Sequence, residues 1–122
     1  MDERTPFEVE ILRPFDHVIL LELEGEVDIH SASQFKGALF DAIDEGALRV
    51  IVDFTKVSFI DSTALGVVVS GVKGIKARGG VIDVVCPHEN ISTIFVATGI
   101  DRILGMHRSQ SQALAAAQSA TA

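Results

Sequence analysis

An acid and two hydroxyls stand together at Asp61-Ser62-Thr63, and their flanks decide what the hydroxyls can do. Upstream, Val50 to Phe54 is an apolar β-type run that ends in an acidic and hydroxylic loop. Downstream, an apolar-periodic stretch reads as a helix that begins at Ser62. A hydroxyl at such a junction has two chemistries open to it. It can cap the helix by accepting from a backbone N–H. It can also face outward as a phosphoacceptor, on a platform whose dipole tolerates an incoming phosphate. Thr63 is the secondary acceptor, its plainer reading being an ordinary first-turn residue. Asp61 either helps position the hydroxyl or serves as the carboxylate of an Asx-type turn.

Other residues with chemical potential do not assemble into a catalytic set. His17, His30, His88 and His107 are scattered and lack zinc-ligand spacing. Cys86 has no neighbour that would activate a thiol and reads as a small buried residue. Gly66, Gly71 and Gly74 fall inside a helix with no Gly-Lys-Ser/Thr run, so they do not build a phosphate loop. Asp53 ends a strand as a receiver aspartate would, but the acidic pair expected after the first strand is missing. No enzyme activity, cofactor or metal is expected.

Composition narrows the partners. The 122 residues are read as one domain over 1–122, and 48% apolar content is enough for a core. Asp, Lys or Gly interrupts every apolar run, so no membrane insertion is expected. Met1 to Pro6 is polar and lacks the basic and then apolar regions of a signal peptide. One cysteine suits a reducing cytoplasm. A net charge of −7 argues against direct binding of nucleic acid or anionic lipid.

The elements that must position Ser62 follow from periodicity. Phe7 to Leu12 alternates as a strand, Arg13 to Asp16 is turn material, and Val18 to Leu23 is a second strand closed by Gly25. These two pair as a hairpin. A first helix runs from Ser31 to Ile43, with Ser31 and Gln34 as a capping box. After the Val50–Phe54 strand, the second helix buries Leu65, Val68, Val69, Val72 and Ile75 and ends at Gly79-Gly80. A strand over Val81–Cys86, a helix with Pro87 in its first turn, a strand over Arg102–Met106 and an Ala-rich helix over Ser109–Gln118 complete the order. The fold class is α/β: a mixed, mainly parallel sheet with an N-terminal hairpin and about four helices.

Three segments together carry a resemblance: Gly25-Glu26-Val27-Asp28, Ser58-Phe59-Ile60-Asp61-Ser62-Thr63-Ala64-Leu65-Gly66, and Lys76-Ala77-Arg78-Gly79-Gly80. From His17 to Ala115 the chain resembles STAS domains, and among them the bacterial anti-sigma factor antagonists. The resemblance departs at Ala64, where the family carries Gly, and the added methyl is expected to reshape the docking surface.

The resemblance implies partner switching. The unphosphorylated domain binds an anti-sigma factor with serine kinase activity and frees a sigma factor. Phosphorylation of the Ser matching Ser62 releases the domain, and a metal-dependent serine phosphatase restores it. On the second helix, Ser62, Gly66, Ser70 and Lys73 form a stripe apart from the core stripe. With the loop that carries Asp28, His30 and Ser31, and with Asp61 and Thr63, this stripe is the expected docking face. Asp28 either meets the kinase or caps the approach to the first helix. The other reading implied by the resemblance is an accessory STAS subunit of a lipid or anion transport assembly.

Overall fold

The computed structural model describes residues 6–121; the polar start over 1–5 lies outside them. Strand β1 (Glu8–Phe15) and β2 (Val18–Val27) form the hairpin. Then follow α1 (Ala32–Asp44), β3 (Arg49–Ile60), α2 (Ser62–Lys76), β4 (Val81–Val85), α3 (Glu89–Ala97), a 3-10 turn (Ile100–Ile103), β5 (Gly105–His107) and α4 (Gln110–Thr121). The sheet order is β1-β2-β3-β4-β5, with β1 antiparallel to β2 and the other pairs parallel.

Each crossover advances one strand in the same direction, so α1, α2 and α3 share one face of the sheet. Their buried side chains join Ile19, Leu21, Leu23, Val50, Val52 and Phe54 in one cluster. On the opposite face, Ala113 and Ala117 of α4 pack on Val18, Leu20, Ile51 and Val85. Coverage of both faces explains why Val18–Leu21 and Val50–Val52 are continuously apolar. Phe54 sits between Phe35 and Phe95, with edge-on ring contacts at centroid separations of 6.2 and 5.8 Å.

Several element bounds differ from the sequence expectation. β1 continues to Phe15, because Pro14 is tolerable on an edge strand, and the turn is Asp16-His17, with His17 in the left-handed region. β2 does not stop at Gly25: the glycine has φ 101° and lies where the register shifts, so it accommodates a bulge. β3 runs on from Phe54 through the expected loop to Ile60, with Val57 and Ile60 buried. Pro87 precedes α3 instead of opening it. The last strand begins at Gly105, because Ile100–Ile103 forms the 3-10 turn.

β4 ends opposite Asp53, whereas β3 continues to Ile60 with β2 as its neighbour. The far halves of β2 and β3 thus form a two-stranded arm. Its tip brings Val27 opposite Ile60, and the N–H of Asp61 donates to the Val27 carbonyl at 3.3 Å. The β2–α1 loop and the start of α2 therefore lie side by side.

Candidate functional site

Asp61, not Ser62, is the N-cap of α2. Its backbone is extended, and its Oδ1 accepts from the N–H groups of Thr63 (2.9 Å) and Ala64 (3.1 Å). Those are two of the amides that a helix start leaves unpaired. Ser62 is the first helical residue, exposed, and relieved of the capping duty that its position suggested. The sequence reading placed the cap on the hydroxyl, whereas Asp, an equally strong capping residue, takes it here.

The second oxygen of Asp61 reaches the neighbouring loop. Its Oδ2 accepts from the N–H of Ile29 at 3.2 Å, tying the β2–α1 loop to the cap of α2. That loop is itself organised by Asp28, whose Oδ1 accepts from the N–H groups of His30 (2.9 Å) and Ser31 (3.2 Å). Desolvation works against its ionised form. The N–H bonds from His30 and Ser31, the charge of His30 and the Ser31 hydroxyl outweigh it and hold the carboxyl below its ordinary value. Asp28 also caps the approach to α1: its carbonyl accepts from Ala32 N–H at 2.8 Å.

Ser31 departs from expectation. It is 7% exposed, and it makes no side-chain cap bond to α1, so the capping box with Gln34 does not form. Its hydroxyl donates to the Glu26 carbonyl at 2.8 Å and accepts from the Asp28 N–H at 3.0 Å. It is buried and fixes the loop from inside. His30 is exposed.

On α2, Ser62, Gly66, Ser70 and Lys73 are all exposed. The buried side of the helix is Ala64, Val67, Val68, Gly71, Val72 and Ile75, while Leu65 and Val69, expected in the core, are only half-buried. The rotation has a steric cause. α1 packs so closely that a Cβ on Gly71 would lie 2.5 Å from Leu39 Cδ2. Small residues here mark helix contact, which hydrophobic periodicity does not register. Ala64 is 1% exposed, so the added methyl that was expected to alter the surface is turned into the core. Between the two helices an open groove of about 470 Å³ is lined by Ala32, Ser33, Lys36, Thr63, Gly66, Val67 and Ser70. Sequence reasoning missed Ser33 and Lys36, since nothing in α1 alone reveals which face meets α2.

The competing phosphoacceptor is closed off. Asp53 is 5% exposed; its Oδ1 accepts from Thr55 N–H and Oγ1, and its Oδ2 accepts from Gln110 Nε2 at 2.8 Å. Cys86 is buried, and desolvation pushes its thiol upward. Among the described residues no helix is long and apolar enough to cross a membrane.

Comparison with known proteins bears on the family and the fold. The STAS domain model matches residues 11–113. The anti-sigma-B factor antagonist of Bacillus subtilis is 33% identical over 87 residues, spanning 70% of this chain and 78% of that protein. The crystal structure of a Thermotoga maritima protein assigned as an anti-sigma factor antagonist superposes with a TM-score of 0.74 at 30% identity, covering 88% of this chain and 91% of that one. The Bacillus cell fate determinant SpoIIAA in its phosphorylated form shares the fold, with a TM-score of 0.73 at 22% identity over 90% of this chain and 99% of that one. This chain belongs to the STAS-domain family, among the anti-sigma factor antagonists.

Proposed function

We propose that the chain works by partner switching: unmodified, it docks on an anti-sigma factor that is also a serine kinase, and phosphorylation of Ser62 ends the docking. The observation that carries this reading is the exposed Ser62 at a helix N-terminus whose cap is supplied by Asp61. Modification therefore removes no capping bond. The docking face comprises Ser62, Thr63, Gly66, Ser70 and Lys73 on α2 and His30 on the adjoining loop, with Asp61 and Asp28 positioning them. A metal-dependent serine phosphatase, acting in the cytoplasm, completes the cycle.

The energetics suit a switch. A phosphate adds about 1.5 to 2 negative charges at neutral pH. The helix dipole offsets roughly 0.3–1 kcal/mol of this, so the scaffold tolerates the change. A switch between nearly all bound and nearly all free needs about 5.5 kcal/mol of differential affinity. Charge repulsion, desolvation and lost packing within an interface can reach that jointly; one surface ion pair, at about 0–1 kcal/mol, cannot.

The test is incubation with ATP and the candidate anti-sigma kinase, followed by intact-mass analysis. Wild type gains one phosphate and Ser62→Ala gains none. Equal uptake by both proteins overturns the site.

A further inference from the structure

Asp53 and Asp83 are the buried acids among the described residues, and Asp53 takes no part in the docking face. A carboxylate is costly to bury unless its oxygens are bonded, so its partners are informative. β4 stops opposite Asp53, and just beyond this point side chains satisfy the backbone of Thr55. The Thr55 N–H donates to Asp53 Oδ1 at 2.8 Å, as does the Thr55 hydroxyl, and the Thr55 carbonyl accepts from His88 Nε2 at 2.7 Å. One oxygen of Asp53 thus holds the base of the arm. The other, Oδ2, accepts at 2.8 Å from Gln110 Nε2, on the first residue of α4.

Gln110 also separates two like charges. Glu22 lies opposite Asp53 on the neighbouring strand, a placement that is repulsive by itself. The Gln110 amide donates to Glu22 Oε2 as well, at 2.6 Å, and its NH₂ has a hydrogen for each carboxylate. The rest of α4 grips the sheet lightly. Among its described residues only Ala113 and Ala117 are buried, with Leu114 half-buried, over a floor of Val18, Leu20, Ile51 and Val85. The helix has no charged residue. Its start is closed on itself: Gln112 N–H donates to Ser109 Oγ at 3.2 Å, and Gln112 Oε1 accepts from Arg108 N–H at 3.0 Å. The preceding strand is anchored separately, with His107 Nε2 3.2 Å from Asp83 Oδ1. α4 can therefore leave the sheet as a unit, hinged after β5, without losing its cap.

We propose that Gln110 is a clamp and Asp53 a junction, so that α4 seated on the sheet and an ordered Thr55 at the base of the arm form one coupled state. When Gln110 leaves, Glu22 and Asp53 face each other unbridged, the Asp53 carboxylate turns, and Thr55 loses its acceptor. Coupling of this kind is reciprocal, so loosening Thr55 loosens α4. The second face of the sheet is thereby connected to the strand that leads to Ser62. The coupling is independent of whether Ser62 is modified.

The experiment measures amide exchange and amide chemical shifts by NMR on the full chain. Gln110→Glu keeps the side-chain shape but replaces the donor with a third carboxylate. Exchange over Ala113–Ala117 is expected to speed up about tenfold or more, with the Thr55 amide proton shifting upfield as its bond to Asp53 is lost and with Val50–Val52 unchanged. Gln110→Ala, which removes the donor and adds no charge, is expected to give the same pattern at about threefold to tenfold. Thr55→Val, which takes the hydroxyl donor from Asp53, is expected to speed exchange in α4 by about threefold. Gln112→Glu is expected to stay within about twofold of wild type, because a carboxylate accepts from Arg108 N–H as the amide oxygen does. Unchanged exchange in α4 with both Gln110 variants overturns the clamp. Faster exchange in α4 with the Thr55 amide unmoved, or a Thr55→Val protein whose α4 exchanges at the wild-type rate, overturns the coupling. An equal rise at Val50–Val52 overturns both, since the effect would then be a loss of global stability.

Discussion

The two halves of β3 inhabit different surroundings. From Val50 to Asp53 the strand lies between β2 and β4, with helices on both faces, and every residue is buried. From Thr55 to Ile60 it pairs with β2, and exposed residues intervene between Val57 and Ile60. The first half holds the molecule together, while the second carries Asp61 and Ser62 out to its tip. The arm is not apart from the core, since Val27, Val57 and Ile60 belong to the same buried cluster as Phe54, while the exposed Ser62 lies just beyond its tip.

Stability measurements can break this contrast. Phe54→Ala, which empties the centre of the three-ring contact, is expected to cost about 3–5 kcal/mol in denaturant unfolding. A loss below about 1 kcal/mol would show that the core is not organised there. Two glycines on α2 sharpen the comparison within one helix. Gly71→Ala would drive a methyl into Leu39 and Ile82 and is expected to cost about 1–3 kcal/mol. Gly66→Ala meets nothing within 4 Å and is expected to stabilise by about 0.5–1 kcal/mol through helix propensity. The same sign for both would refute the assignment of the buried and docking faces.

At the tip, Asp61→Ala is expected to cost about 1 kcal/mol. Amide exchange should speed up at Thr63 and Ala64, and also at Ile29, across the arm. Faster exchange at Thr63 and Ala64 alone would uncouple the loop from the cap. The smallest effect is one of pH. The Asp28 carboxyl is held below its ordinary value, so its contribution is fully present above about pH 4 and lost as pH falls through the lowered value. The His30 and Ser31 amide shifts in a proton titration should report that midpoint; a midpoint at or above the ordinary value would contradict the bonding described for the loop.

Much of the architecture was legible because strand and helix periods differ and the helix-ending glycines at 79 and 99 stand where the chain needs positive φ. The arm was not legible. Gly25 has the composition of a strand end but serves a bulge, and Thr55-Lys56 resembles a loop because a strand without β4 beside it admits polar residues. At the site, the Asp-Ser-Thr cluster announced itself, whereas the assignment of the cap depended on which side-chain oxygen reached which N–H. Ser31 misled for a related reason: a serine ahead of a helix can bond forward into it or, as here, back to Glu26. Ser33 and Lys36 carry no motif, and only the packing of α1 on α2 brings them to the groove that Thr63 and Gly66 line.

The most direct test of the account compares unmodified protein with protein stoichiometrically phosphorylated at Ser62, titrating each against its anti-sigma factor while recording its thermal midpoint. The expected result is a fall in affinity approaching about 10⁴-fold with an essentially unchanged midpoint. Equal affinity of the two forms, or a loss of affinity matched by unfolding, would contradict it.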